Sequence, residues 1–390
     1  MKFRILSFGK RLAYKLISGH FRRLYTNNHK RQLKRFSRSA GFSLSQCQGE
    51  EAFVAKWKPL YKDVNVDFYR FYSHYIGLDT NIVPDDIFHY IIEPVLNSRH
   101  VLPVYSDKNL FEKLIDRDVL PVCVLRNIGG DFMNRDYHII QMDDEEFARR
   151  IIRNEELKAK GRFIIKPTTN TSGGHGVKLF LYKPDEGWKS TDGDSLSLSF
   201  IKEAYKKDFI IQECIEPSDF VKQFNPSSYS TLRIFTYRSV KDDLPHFIGG
   251  YLRVGAKGSF KDNVWGGGYA VPITQDGKLF NFASDAKRKR YGNVNGINLK
   301  DKSFEIPNWD MVLQLVSSVA CILTPTRLLS YDIILDQNNV PHIIEFNTRS
   351  QTVTTVQTTT KTFFGEYTDE VIDYCLKNKH RISYQINFSQ

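Results

Sequence analysis

The chain has 390 residues, 41% of them hydrophobic and 25% charged, a balance ordinary for a soluble globular protein with room for two or three lobes. Its net charge of +11 is uneven: residues 1–40 hold twelve Lys or Arg and no acid, so the remainder sums to −1 (11 − 12). A nearly neutral body argues against a nucleic-acid surface, and five cysteines with no CxxC pair argue against a disulfide framework or zinc finger and for a cytoplasmic setting. No apolar run reaches bilayer length, and no secretory h-region with a small-residue cleavage site is present.

In chain order, residues 1–40 form a basic arm whose cations alternate with Phe3, Ile5, Phe8, Leu12 and Leu16. Two readings of it weigh equally: an amphipathic helix on the anionic inner face of a membrane, and a solvated, partly helical tail. A mitochondrial presequence has a similar composition and ranks third. Residues 41–105 read as a helical accessory region rich in Tyr and Phe, with Pro84 and Pro94 as helix boundaries and no chemistry expected. Asp107 reads as an N-cap for a helix running to Ile115, and Lys108 sits against the dipole at its start.

The stretch RFIIKPTTNTSGGHGVKLFLY (162–182) predicts adjacent strands over 163–166 and 177–182. In the loop between them, Gly173, Gly174 and Gly176 permit positive φ and convergent N–H groups around an anion, with Lys166 at its base. The competing reading is a flexible hairpin loop. The spacing is neither a P-loop nor a dinucleotide fingerprint. A helix is expected near 197–206, a strand over 208–214, and antiparallel strands within 225–238, 247–255 and 262–273. The KRKR run at 287–290 reads as a solvated surface, and a long helix is expected over 309–323. The threonine-rich segment that follows 347 is β-compatible or loop-like, and 367–376 is helical.

The most informative stretch is SYDIILDQNNVPHIIEFN (330–347), two apolar strands about a polar turn. With the turn between Asp336 and Pro341, Asp332 stands across from Glu345, and Asn347 shares their face. Tyr331, Ile333, Leu335, Ile344 and Phe346 are expected on the other, apolar face. Two carboxylates and an amide together on a core strand face are costly unless paired. A divalent cation with hard oxygen ligands resolves that cost, so the hairpin reads as a magnesium site.

Six motifs in order, SDKNLFEKL, FIIKP…SGGHGV, IIQECI, FNPSSYSTLRIFTY, LRVG…KDNVWGGG and YDIILD…HIIEFNT, resemble the ATP-grasp superfamily, and within it the sugar-transfer-associated ATP-grasp family, over roughly residues 60–365. The resemblance implies an α+β ATP-grasp fold: two lobes (106–205 and 206–380) sandwiching ATP, preceded by the helical region and the arm. By position it implies that Lys108 and Lys166 contact the triphosphate from either lobe. Thr171, Ser172, Gly173, Gly174 and Gly176 match the phosphate loop, and Gln212, Glu213, Cys214 and Ile215 the adenine-reading hinge. Glu216 or Asp219 is implied for the ribose hydroxyls, Arg233 for the transferring phosphate, and Asn263 for the substrate mouth. Asp332, Glu345 and Asn347 match the magnesium ligands. Ser230 stands where the family pattern has Asn, which removes any contact made by that amide.

The activity so implied is an ATP- and Mg-dependent carboxylate–amine ligase working through an acyl phosphate. Its acceptor is expected to be an anionic sugar acid or amino acid in bacterial surface polysaccharide synthesis, with Arg253, Lys257 and the 287–290 run as the positive groups that meet it. The competing functions are a kinase of a sugar hydroxyl and a non-catalytic nucleotide-binding scaffold for glycosyltransferases.

Overall fold

The computed structural model describes residues 26–97, 101–169 and 174–382. The first twenty-five residues, which carry most of the expected membrane contact, and the loop residues Thr171, Ser172 and Gly173 lie outside that description. Among the described residues no helix is long and apolar enough to cross a membrane.

Two antiparallel sheets organise the chain. The first is built from β1 (Cys123–Ile128), β2 (Asp131–Met133), β3 (Arg162–Pro167), β4 (Lys178–Lys183), β5 (Gly187–Ser190) and β6 (Phe209–Glu213), in the order β2-β1-β6-β3-β4-β5. The lobe boundary expected at residue 206 therefore falls too early. The apolar run of β6 pairs on both sides, with β1 and β3, and so belongs inside the first sheet. The second sheet takes β7 (Thr231–Arg238), β8 (Pro245–Val254), β9 (Tyr269–Pro272), β10 (Ala283–Ser284) and β11 (Arg290–Tyr291). A small separate pair, β12 (Asn293–Val294) and β13 (Ile297–Asn298), comes next, and then β14 (Leu328–Leu335) and β15 (Pro341–Asn347) complete the second sheet in the order β11-β10-β9-β8-β7-β14-β15.

Side chains alternate across a strand, and β7 uses both faces fully. Leu232 and Ile234 join the core closed by the helix Trp309–Ile322. Arg233 faces the cleft between the sheets, and farther along the same face Phe235 and Tyr237 are covered by the N-terminal helices. The region 41–105 is thus the cover of the second sheet, sharing one apolar cluster with it, rather than a lobe by itself. Buried amides fix the docking: Asn97 Nδ2 donates to the carbonyls of Leu328 and Thr348 at 2.6 Å each, and Gln357 exchanges two hydrogen bonds with the backbone of Val83.

Two sequence expectations change here. Residues 26–40 are helical and bury Leu33 and Phe36 in the same cluster, so the arm's second half is part of the folded body. Pro94 does not end a helix. It lies inside a continuous helical run, after a widened π turn over Phe88–Ile92 in which Glu93 N–H reaches Phe88 O, an arrangement that accommodates the missing N–H and the ring.

Candidate active site

The hairpin β14–β15 forms as its sequence predicts, with Asp332 paired to Glu345 across the ladder. A bulge between Asp332 and Ile333 then shifts the register so that Ile333 meets Ile343. The apolar face is accordingly Tyr331, Ile333, Leu335, Ile343 and Phe346, and Ile344, expected among them, instead lines the cleft with Ile334. The bulge, which no alternation rule anticipates, exchanges the two isoleucines.

One cavity of about 830 Å³ between the sheets gathers Lys108, Lys166, Gly174, the hinge Gln212 to Ile215, Arg233, Asn263, Asp332, Glu345 and Asn347. Lys108 arrives on a short turn that Asp107 caps by accepting from Asn109 N–H at 3.0 Å. Its own N–H donates to Thr168 O at 3.1 Å, and Asn109 Nδ2 bridges Asn127 O and Thr168 Oγ1, tying that turn to the end of β3. Lys108 and Lys166 thereby converge from the first sheet. Lys108 Nζ lies 3.2 Å from Glu345 Oε1, an ion pair that joins the lobes.

Arg233 holds Asp332 with both arms of its guanidinium, Nε to Oδ1 and Nη2 to Oδ2 at 2.9 Å. Arg253 Nη1 binds the same Oδ2 at 2.8 Å, and its Nη2 lies 2.8 Å from Asp262 Oδ1. Thr231 Oγ1 donates to the other oxygen of Asp262. Burial alone would raise both carboxyl pKa values. At Asp332 two guanidiniums outweigh burial and the pKa falls; at Asp262, served by one, burial prevails and it rises. The cavity lining carries seven Lys or Arg against four Asp or Glu, an excess that suits a polyanion.

Lys166 is 7% exposed, and burial, with the neighbouring charge of Lys108, pulls its pKa down to about 8 from lysine's usual value of about 10.4. The unfolded chain holds that proton up to about 10.4, so the stability cost of Lys166 is fully present below pH 8 and fades as pH rises from 8 through that value. A bound polyphosphate reverses the shift. Binding of ATP at pH 8 is expected to take up a proton that binding at pH 6.5 does not, read by calorimetry in two buffers of different ionisation enthalpy. Equal proton uptake at the two pH values would count against Lys166 as a phosphate ligand.

In the glycine loop, Gly176 has φ +73°, and a Cβ there would sit 2.7 Å from Pro167 Cγ, so only glycine lets the loop fold back on β3. Gly174, also left-handed, accepts a hydrogen bond from Lys261 Nζ at 3.1 Å through its carbonyl, a contact from the second lobe onto the loop. Gly176 itself does not line the cavity.

Other expected residues fall elsewhere. Glu216 is held by Arg162 and Lys222, Asp219 is fully exposed at the start of a short helix, and neither lines the cavity. The Glu213 carboxylate pairs with Lys160 at 2.5 Å. Asn263 caps the turn Val264–Gly266, its Oδ1 accepting from Trp265 N–H. Lys257 is exposed outside the cavity, whereas Arg288 of the supposedly solvated KRKR run is 3% exposed and lines it. Ser230 is buried with its hydroxyl unpartnered. Asp262 and Lys261 also line the cavity, and their one sequence signal is their place beside Asn263 in the KDN triplet.

Asp332 and Glu345 with Asn347 make a hard-oxygen donor set suited to magnesium. Among the described residues no group of three His, Cys, Asp or Glu side chains is gathered for a metal, so beside the two carboxylates the Asn347 amide would be the third protein donor. The residues fit such an ion on condition that it shares Asp332 with the two guanidiniums.

Two antiparallel sheets closing on a cationic cleft, joined by a hinge that leaves β6 at Glu213 and reaches the end of β14 through the Pro217–Asp336 bridge, are the build of an ATP-grasp protein. The chain belongs to the sugar-transfer associated ATP-grasp family, whose sequence pattern matches residues 89–368. No curated protein matches it. It is similar to the solved D-alanine–D-alanine ligase from Bacillus anthracis (13% identity, 72% of this chain and 68% of that one, TM-score 0.38). It is also similar to N5-carboxyaminoimidazole synthetase from Staphylococcus aureus complexed with ADP (8%, 66% and 48%, 0.37). A third similar structure is L-amino acid ligase from Bacillus licheniformis (13%, 70% and 48%, 0.34). The match spans about half the length of the latter two.

Proposed function

We propose that the protein is an ATP- and magnesium-dependent carboxylate–amine ligase, acting on a sugar acid or amino acid destined for a bacterial surface polysaccharide. The observation that carries the reading is the opposition of Lys108, on its turn, and Lys166, on β3, to the Arg233–Asp332 and Glu345 face of the second sheet, bound across the cleft by the Lys108–Glu345 pair. A carboxylate is a poor electrophile. Attack of its oxygen on the γ-phosphorus breaks the bond to ADP and yields an acyl phosphate. An amine then attacks the acyl carbon, phosphate leaves, and the amine loses a proton. The side chains contribute position and charge: Lys108, Lys166 and Arg233 neutralise the oxygens of the transferring group. Asp332, Glu345 and Asn347 would hold magnesium, which when bound supplies further neutralisation of the phosphate oxygens.

Transfer to a sugar hydroxyl would use the same groups but needs no amine. The deciding measurement is ADP and free phosphate release from MgATP across sugar acids paired with amines. The expected result is release of both that depends on acid and amine together. ADP formed on a sugar alone, with no free phosphate, would replace the ligase reading with a kinase.

A further inference from the structure

A second chamber, also of about 830 Å³, adjoins the cleft and shares seven residues with it, among them Trp265, Thr348 and the cations Arg288 and Arg349. Its outer wall comes from the helix 26–40, through Gln32 and Phe36, and from the turns around Pro94. Phosphoryl chemistry uses none of these. Three residues that line the chamber each carry a buried polar atom without a hydrogen-bond partner, Arg288 Nε, Thr348 Oγ1 and Gln351 Oε1, the residues being exposed by 3%, 1% and 1%. Buried polar atoms are rarely left unmet, and three around one cavity point to a ligand that meets them.

Arg288 is the informative member. Its Nη1 donates to Thr355 Oγ1 at 3.0 Å, and its guanidinium carbon lies 5.7 Å and 5.8 Å from the ring centroids of Phe36 and Trp265. The charge is thus flanked by a hydroxyl and two aromatic faces, and burial pulls its pKa down against the opposing pull of the Asp85 carboxylate, which is itself engaged by Tyr72 and Thr354. Aromatic faces soften the cost of a desolvated guanidinium but do not supply a counter-charge. Arg233 and Arg253, on the cleft side, both have carboxylates. Beside Arg288 the Trp265 indole is 56% exposed while lining both cavities, a flat apolar surface open to a ligand.

We propose that this chamber is a sugar-acid subsite in which Arg288 binds the carboxylate, Trp265 stacks on the ring, and Thr348 and Gln351 meet hydroxyls. Arg288 stands at the junction, so a carboxylate held there is presented to the phosphate cleft; to that extent the assignment rests on the ligase reading. It selects a hydroxylated acid over a simple amino acid, because the orphan Thr348 and Gln351 oxygens match ring hydroxyl donors and Trp265 matches a ring face.

The test is calorimetric binding of D-glucuronate and D-galacturonate to the full chain, with D-glucose as the uncharged control. The wild type is expected to bind at least one uronate and to prefer it over glucose. Arg288→Gln is expected to weaken that binding about 10- to 100-fold. Trp265→Ala, at an exposed position with no risk to the core, is expected to weaken it about 2- to 10-fold. Failure of both uronates to bind the wild type overturns the subsite, as does unchanged binding in a folded Arg288→Gln protein. If that variant does not fold, unchanged binding by Trp265→Ala overturns it instead. Uronate binding without amine-dependent ADP release at any amine removes the ligase reading and leaves the subsite standing. Amine-dependent release on amino acids, undisturbed by Arg288→Gln, removes the subsite and leaves the ligase.

Discussion

Arg233→Ala is expected to lower amine-dependent ADP release by about 10²- to 10³-fold while the protein remains folded. The guanidinium sits in the middle of the cleft, 17% exposed, and is aimed by its two-point grip on Asp332. A preorganised charge of this kind costs no reorganisation when negative charge moves onto the transferring phosphoryl. Its loss falls on turnover more than on folding, because Arg253 still meets Asp332 at 2.8 Å. Arg233→Lys keeps the charge but not the fork, and is expected to recover only part of the rate. Glu345→Gln removes the lobe-bridging ion pair and a proposed magnesium donor, and a comparable loss with a raised magnesium requirement is expected. Full activity in Arg233→Ala and in Glu345→Gln, measured by coupled ADP release, would sink the assignment of this cleft.

Much of this cleft could be read from sequence because its determinants are local. Asp332, Glu345 and Asn347 follow from strand alternation and one turn, and Lys166 with its glycines from a strand–loop–strand pattern. The exceptions are equally physical. Ile344 lies on the cleft face, against strict alternation, because a bulge has no signature in alternating hydrophobicity. Four basic residues in a row are usually solvated, but Arg288 is buried by partners distant in the chain, among them Phe36, Trp265 and Thr355. Asp262 carries no sequence signal of its own because its partner Arg253 comes from another strand. The second chamber was invisible for the same reason, since its walls come from segments more than 300 residues apart in the chain.

The second large effect concerns stability. Asp332→Asn is expected to destabilise the fold by about 3–5 kcal/mol, seen as a lowered denaturant midpoint. Asp332 is 6% exposed and is the shared counter-charge of two arginines. The amide leaves Arg233 without its carboxylate, gives Arg253 only Asp262, and turns an NH2 group toward guanidinium donors. The sign with pH follows from the direction of the shift. The two guanidiniums lower the Asp332 pKa, so its stabilisation is present above the ordinary aspartate value of about 3.9 and is lost as pH falls through the folded value. The gap between wild type and Asp332→Asn is therefore expected to be widest near neutrality and to narrow in strong acid. Buried ion pairs repay their desolvation poorly, so the double change Arg233→Met with Asp332→Leu is expected to regain much of the lost stability and none of the activity. A double variant as unstable as Asp332→Asn alone would mean that the network is required for the fold itself; regained stability would leave charge in the cleft as what the network is kept for.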